Sequence, residues 1–248
     1  MIYKLGRKAI KTDSRTLRMA RYLTAALAPP PAACDWTKGI TAWGMMLNDA
    51  LGDCTIAGCG HAIQVCGANV GYTFEGETLP DAVIEKAYST WDGYVPGDPS
   101  TDNGGVELDV LNNWRKSGLG GHHLLGFADP EPSNLTEIQQ TIALFSGVYI
   151  GLSLPVTAQN QDIWDVVPNG GADAVPGSWG GHCVYVPKYD QNGFTCITWG
   201  GLKAMTLAFW NKYCDEVHGL LLATWIKNNV TPSGFNLAEM QADLAAIV

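Results

Sequence analysis

The eleven residues Asn48-Asp49-Ala50-Leu51-Gly52-Asp53-Cys54-Thr55-Ile56-Ala57-Gly58 constrain this chain more than any other stretch. The first half is turn-like and carries glycine. From Cys54 onward the residues are small and apolar, and they stay so through Ala62 and Ile63. The change predicts a loop feeding a buried helix over about 54–70, with a cysteine in its first turn. A helix start carries unpaired N–H groups and partial positive charge, which favour a thiolate over a thiol. At 128 positions downstream, Gly180-Gly181-His182-Cys183-Val184-Tyr185-Val186 puts a histidine at the start of an apolar strand. A cysteine at a helix start and a histidine at a strand start can meet as nucleophile and base.

Other segments fall into order around these two. Trp36, within Asp35-Trp36-Thr37, precedes Asn48 by 12 positions and Cys54 by 18. Asn103-Gly104-Gly105 leads into a helix-like run to Trp114 and then Ser117-Gly118-Leu119. Thr198-Trp199-Gly200 follows the histidine strand. In this order and spacing, from about 35 to 219, the segments resemble the papain-like cysteine peptidases. The resemblance implies an α+β, two-lobed fold: a helical N-terminal lobe, an antiparallel β-sheet C-terminal lobe, and a cleft between them. It implies a thiol-dependent hydrolase of peptide or amide bonds, acting on a peptide or protein substrate without cofactor or metal. Cys54 would attack the carbonyl, His182 would carry the proton, and Asn48 would sit at the oxyanion position. Gly104 and Gly105 would form a substrate-binding wall, with Trp199 beside the histidine.

The chain departs from the family at definite points. Asn48 is one methylene shorter than the family's glutamine. Leu51-Gly52-Asp53-Cys54-Thr55 stands where the family has Cys-Gly-Ser-Cys-Trp, so a half-cystine and a tryptophan are missing. Asp53 raises the thiol pKa if it faces Cys54, or caps the helix if it turns away. The catalytic asparagine is absent. Alignment on Trp199 puts Ile197 in its place, whereas counting from His182 reaches Thr198. Side chains alternate along a strand, so the two cannot both face the histidine. Thr198 is the expected third member, because a hydroxyl can accept from the imidazole N–H and an isoleucine cannot.

Composition sets the remaining bounds. The 248 residues suit one large domain or two fused lobes, and 46% hydrophobic residues suffice for a sizeable core. Charged residues are 16%, against about 25% in an ordinary soluble domain, which implies a glycine- and aromatic-rich interior or surface covered by partners. The net charge of −9 is uneven: Lys4, Arg7, Lys8, Lys11, Arg15, Arg18 and Arg21 face only Asp13 in the first 21 residues. Such an arm docks on its own acidic body or on a neighbouring copy, and the acidic body speaks against general nucleic-acid binding. No run reaches the ~20 apolar residues of a membrane span, and no signal-peptide core is evident. Seven cysteines lie within apolar patterns, as expected of reduced thiols in a reducing compartment. The expected location is therefore the cytoplasm of a bacterial or phage-infected cell, with virion association as a variant. Cys54, Cys59, His61 and Cys66 lack the paired spacing of a zinc site, and His61 reads as non-catalytic.

The expected organisation is a basic arm with the Pro29-Pro30-Pro31 joint over 1–33, a papain-like domain over 34–230 and a tail over 231–248. Helices are expected at 80–92, 106–117 and 134–146. Strands are expected at 147–154, 182–189, 193–199, 203–208 and 216–222, with a short helix over 210–214. The tail opens with Pro232-Ser233-Gly234 and continues as an amphipathic helix using Leu237, Met240, Leu244 and Ile247. The arm is shorter than the family's inhibitory propeptides. A second class of function stays open: a papain-like binding or assembly module without turnover, such as a phage structural component, self-associating through the arm and the tail helix.

Overall fold

The computed structural model describes residues 3–24, 27–70, 78–228 and 236–246. Two short strands, β1 (Leu17–Arg18) and β2 (Cys34–Asp35), precede the central helix α1 (Cys54–Asn69). Helices α2 (Asp81–Asp92) and α3 (Glu107–Ser117) complete the first lobe. Next come β3 (Leu124–Asp129), α4 (Leu135–Phe145), β4 (Val148–Leu154), β5 (Gly180–Asp190), β6 (Gly193–Thr198) and β7 (Gly201–Thr206). The chain closes with α5 (Leu207–Tyr213), β8 (Cys214–Leu222), α6 (Ala223–Asn228) and α7 (Leu237–Ala246).

α1 is buried without a break from Cys54 to Gly67. A helix apolar all round has no solvent face and must lie in the core. Its small residues let the sheet close in: a Cβ at Gly58 would stand 3.0 Å from the Tyr149 ring and 3.3 Å from Cys183 Sγ. Tyr149 donates its hydroxyl to the Thr55 carbonyl at 2.9 Å, fastening β4 to the first turn of α1. Asp53 occupies the N-cap position but makes no side-chain capping bond, so the capping role expected of it is not realised.

The sheet runs β1-β3-β8-β4-β5-β6-β7, with β2 added to β5. All pairings are antiparallel except β1 on β3. The architecture is thus α+β, helical in its first lobe and antiparallel in its second, as expected. β3 escapes a reading by alternation because its register shifts between Leu124 and Gly126, where it pairs with β8. The strand expected to run to 208 ends at Thr206, whose side chain caps α5 by accepting from Phe209 N–H. Asn134 caps α4 in the same way through Glu137 N–H.

The tail helix α7 turns inward. Met240 and Leu244 are buried, and Leu244 packs where a Cβ on Gly126 would stand. Arg21 of the arm pairs with Glu239 and Asp243 of α7. The expected Pro232-Ser233-Gly234 break and Ile247 lie outside the described residues. Among the described residues no helix is long and apolar enough to cross a membrane.

Candidate active site

Cys54 begins α1, and its sulfur accepts a hydrogen bond from Cys183 N–H at 3.4 Å. That bond ties the first turn of the central helix to the residue after His182. β5 holds His182 opposite Leu152 of β4, fully buried. His182 Nε2 lies 2.7 Å from Thr198 Oγ1, while Nδ1 has no hydrogen-bond partner. A buried N–H without an acceptor is rarer than a buried bare lone pair, so the proton belongs on Nε2, donated to Thr198, and Nδ1 carries the lone pair. Ile197 instead belongs to the core built around the helical lobe.

Trp199 lies flat on His182, with ring centroids 4.5 Å apart and planes 12° from parallel. Its φ of 45° is a left-handed conformation rare outside glycine, and with Gly200 at φ 71° it makes the β6–β7 turn that brings the indole back over the imidazole. Tyr3 stacks on Trp199 in turn at 4.3 Å. Asn48 is buried and donates its amide to Asp53 Oδ1 at 3.2 Å, so one of its two amide hydrogens is already engaged.

The basic arm runs through the cleft. Gly6 passes between Gly52 and Gly104 so closely that a Cβ on Gly6 would stand 1.7 Å from the Gly52 carbonyl oxygen. The N–H groups of Gly6 and Cys183 both reach the Cys54 sulfur. Arg7 donates its N–H to the Gly181 carbonyl at 3.1 Å. Gly105 clamps the arm from the other wall, donating to the Gly6 carbonyl and accepting from Lys8 N–H, both at 2.8 Å, in a parallel pairing. Gly104 and Gly105 thus line the cleft, and here they hold the chain's own arm. Lys4 pairs with Asp102, and Lys11 with Asp109 at 2.6 Å. Lys4, Arg7, Lys11 and Arg21 of the arm thus pair with the body of the same chain, while Arg15 pairs with Asp13 inside the arm. A short arm covers the site because only residues 5–8 need to cross it.

Arg7 enters a buried acidic pocket. Its Nε stands 3.0 Å from Glu107 Oε1, and its Nη2 stands 2.6 Å from Asp215 Oδ1 and 2.8 Å from Glu216 Oε2. His218 lies behind, 2.5 Å from Asp129 Oδ1 and 3.2 Å from Glu216 Oε1. Glu107, Glu216 and His218 bring one ligand atom each within 4.8 Å of one another, a spacing that would suit a cation. The Arg7 guanidinium already meets two of those three groups.

No family model matches the sequence, and no curated protein does. Solved structures do. The chain is similar to xylellain, a cysteine protease from Xylella fastidiosa, with a TM-score of 0.63 and 14% identity over 88% of this chain and 96% of that one. It is similar to digestive procathepsin L 3 of Tenebrio molitor larval midgut, with a TM-score of 0.55 and 13% identity over 85% and 75% of the two chains. It is also similar to the cysteine protease and lectin-like domains of Cwp84 from Clostridium difficile, with a TM-score of 0.55 and 11% identity over 85% and 57%. The fold is papain-like.

Within this papain-like cleft the electrostatics differ from the sequence expectation. The helix start was expected to favour a thiolate. Burial beneath the arm instead pushes the Cys54 thiol up to about 12, outweighing the Cys183 and Gly6 N–H groups that oppose it. Burial also pushes His182 down to about 3. Burial raises Asp53 well above the carboxylate range, and its charge adds to the rise of the neighbouring thiol, as expected of a carboxyl facing Cys54. With the arm in place, thiol and imidazole are both neutral at neutral pH. His61 lies deeper along α1, where its Nε2 is 2.9 Å from the Gly44 carbonyl oxygen in a core contact.

Several cleft residues carried no recognisable sequence signal. Tyr88 donates to Asp102 Oδ1 at 2.7 Å and accepts from Gly104 N–H at 2.8 Å, while Asp102 Oδ1 accepts from Gly52 N–H at 2.9 Å. This network braces the Gly52 and Gly104 walls. Glu107 is in the first turn of α3, where an acidic residue looks the same whether exposed or buried. Asp215 and Glu216, two acids inside a strand of apolar residues, were the available hint.

Proposed function

We propose that the protein is a thiol-dependent hydrolase of peptide or amide bonds, held at rest by its own arm. The observation that carries this reading is the arrangement of His182. One ring nitrogen is fixed by Thr198, the other carries a free lone pair, and the next residue on the strand touches the Cys54 sulfur. Once the arm leaves, water re-enters and the penalty on charge falls. Nδ1, which makes no hydrogen bond to the sulfur in the closed form, then comes within reach of the thiol and takes its proton, and the sulfur attacks the carbonyl carbon. The oxyanion would meet the Cys54 backbone N–H and the free amide hydrogen of Asn48. The imidazolium protonates the leaving amine, and a water activated by the same nitrogen hydrolyses the thioester. Thr198 keeps the ring in the required tautomer throughout, and Trp199 shields it.

Gly6→Ala tests this in the full chain, because the added methyl has no room against Gly52 and must lift the arm. That variant should cleave peptides from a mixed fluorogenic library, and adding Cys54→Ala should abolish cleavage. Turnover that survives Cys54→Ala would refute the assignment.

A second reading, a binding or assembly module without turnover, draws on the complete burial of Cys54 beneath a well-paired arm. It predicts that the lifted-arm variant stays inert. The seven cysteines are all free thiols, which fits the reducing compartment proposed for either reading.

A further inference from the structure

The acidic pocket is built wholly by the body of the protein and opens one residue from Cys54. Glu107 comes from α3, Asp215 and Glu216 come from β8, and the floor is Gly151 of β4. A Cβ on Gly151 would stand 2.2 Å from Arg7 Nε, so glycine there gives the guanidinium its space. The Glu107 carboxylate is 1% exposed, and neither oxygen accepts a well-formed hydrogen bond. It faces Arg7 through charge alone at 3.0 Å. Beside the same carboxylates a cavity of about 210 Å³ lies between Asp129, Asp215, Glu216 and His218 of the body and residues 10–13 of the arm, so it opens further when the arm leaves.

The backbone contacts that seat Arg7 ask nothing of its side chain. Gly105 offers one N–H and one carbonyl, and Gly181 offers one carbonyl. Any extended peptide lying opposite Gly105 can use these groups, and its side chain at that position would enter the pocket. A peptide that displaces the arm also removes the guanidinium and leaves buried carboxylates facing one another. Uncompensated buried charge is costly, and a planar fork of N–H donors suits several carboxylates at once.

From this we infer that the Glu107–Asp215–Glu216 pocket is a specificity pocket for an arginine side chain of the substrate, and that Arg7 is its resident competitor. This rests on the hydrolase reading for the word substrate, but the pocket can be tested without turnover. Burial and the neighbouring Glu216 push the Glu107 carboxyl up while the cations Arg7 and His218 pull it back, so a cation in the pocket is what lets it keep its charge.

The test uses three chloromethyl ketones, acetyl-X-glycine with X as arginine, citrulline or norleucine. Their glycine can lie over Cys54 at the place of Gly6 with the probe running opposite to the arm, so that X, which precedes glycine, takes the place of Arg7, which follows it. Citrulline keeps the shape of arginine without its charge. Alkylation of Cys54 is read by mass spectrometry in the unaltered chain, in Gly6→Ala and in Arg7→Ala. The arginine probe should react about tenfold faster than the citrulline probe, or more, as expected for charge-assisted hydrogen bonds. Glu216→Gln should shrink that ratio. Arg7→Ala and Gly6→Ala should speed all three probes and keep the ratio. If Arg7→Ala fails to fold, Gly6→Ala opens the cleft with the pocket residues intact. Equal rates for the three probes, or no labelling of a folded Gly6→Ala chain by any of them, overturns the inference. Arginine-selective alkylation without hydrolysis of any peptide leaves the pocket standing and removes the hydrolase reading. Hydrolysis that prefers norleucine does the reverse.

Discussion

Two buried histidines, His182 and His218, show how differently one fold treats the same side chain. Both are 2% exposed or less. Burial pushes His182 down to about 3 because its partners are a threonine hydroxyl and an indole face, neither of them charged. Burial also acts against the charge on His218, yet Asp129, Glu216 and Glu107 hold it up to about 10. Adjacent residues of the arm sit against the two environments: Gly6 covers the neutral pair and Arg7 completes the charged cluster. Burial alone therefore does not decide ionisation; the charged partners within reach do. Burial holds Cys54 and His182 neutral, whereas Arg7 and His218 keep their charge in the equally dry pocket beside them.

The largest expected effect comes from breaking the charged side of this comparison. His218→Leu removes the cation between Asp129 and Glu216, which strips the half-buried Asp129 of its charged partner and leaves the buried Glu216 with Arg7 alone. Urea unfolding should show a loss of about 3–5 kcal/mol. A cost near zero would mean that the cluster is hydrated or that its carboxyls are neutral.

On the neutral side the cost should be smaller. Thr198→Val preserves shape and removes the acceptor for His182 Nε2–H, so unfolding free energy should fall by about 1–3 kcal/mol. The comparison fails if this substitution costs more than His218→Leu.

Stability against pH sharpens the contrast, since the two histidines act with opposite sign. His218 titrates at its ordinary 6.5 when unfolded and at about 10 when folded. Its stabilisation is full below 6.5 and is lost as pH rises through 10. Glu107, raised from 4.5 to about 8, adds to the loss on rising pH because the folded form binds the extra proton. His182, at about 3, and His61, at about 4, bind their protons more readily unfolded, so they withdraw stability as pH falls below 6.5. Urea titrations from pH 4 to 10 should show both limbs, with His218→Leu flattening the alkaline one and sparing the acid one. An alkaline limb unchanged in that variant would contradict the account.

Much of this was legible in the sequence, for reasons that can be named. The mostly small and apolar run after Cys54, interrupted only by Thr55, His61 and Gln64, reads as a buried helix, and α1 is one. The Asn192-Gly193 turn and the alternation around it located β5 and β6. Alternation also separated Thr198 from Ile197, because the two must face opposite ways. What escaped depends on contacts distant in sequence. The basic arm and acidic body implied docking, but nothing local said that Gly6 would thread between Gly52 and Gly104. Glu107 looks like an ordinary acid at a helix start until Arg7 arrives from a hundred residues away. Cys54 is fully buried at the start of a buried helix with the arm across it, so the thiolate favoured by its helix position was the wrong expectation for the closed form.

The central claim is that Cys54 is a nucleophile silenced by the arm across it. The direct measurement is iodoacetamide alkylation at neutral pH, quantified cysteine by cysteine, in the unaltered chain and in Gly6→Ala. In the unaltered chain Cys54 should react as slowly as the buried Cys59 and Cys66. In Gly6→Ala it should react well ahead of the other six, and adding His182→Ala should slow it again. Cys54 labelling that stays as slow as that of Cys59 once the arm is lifted would contradict the account.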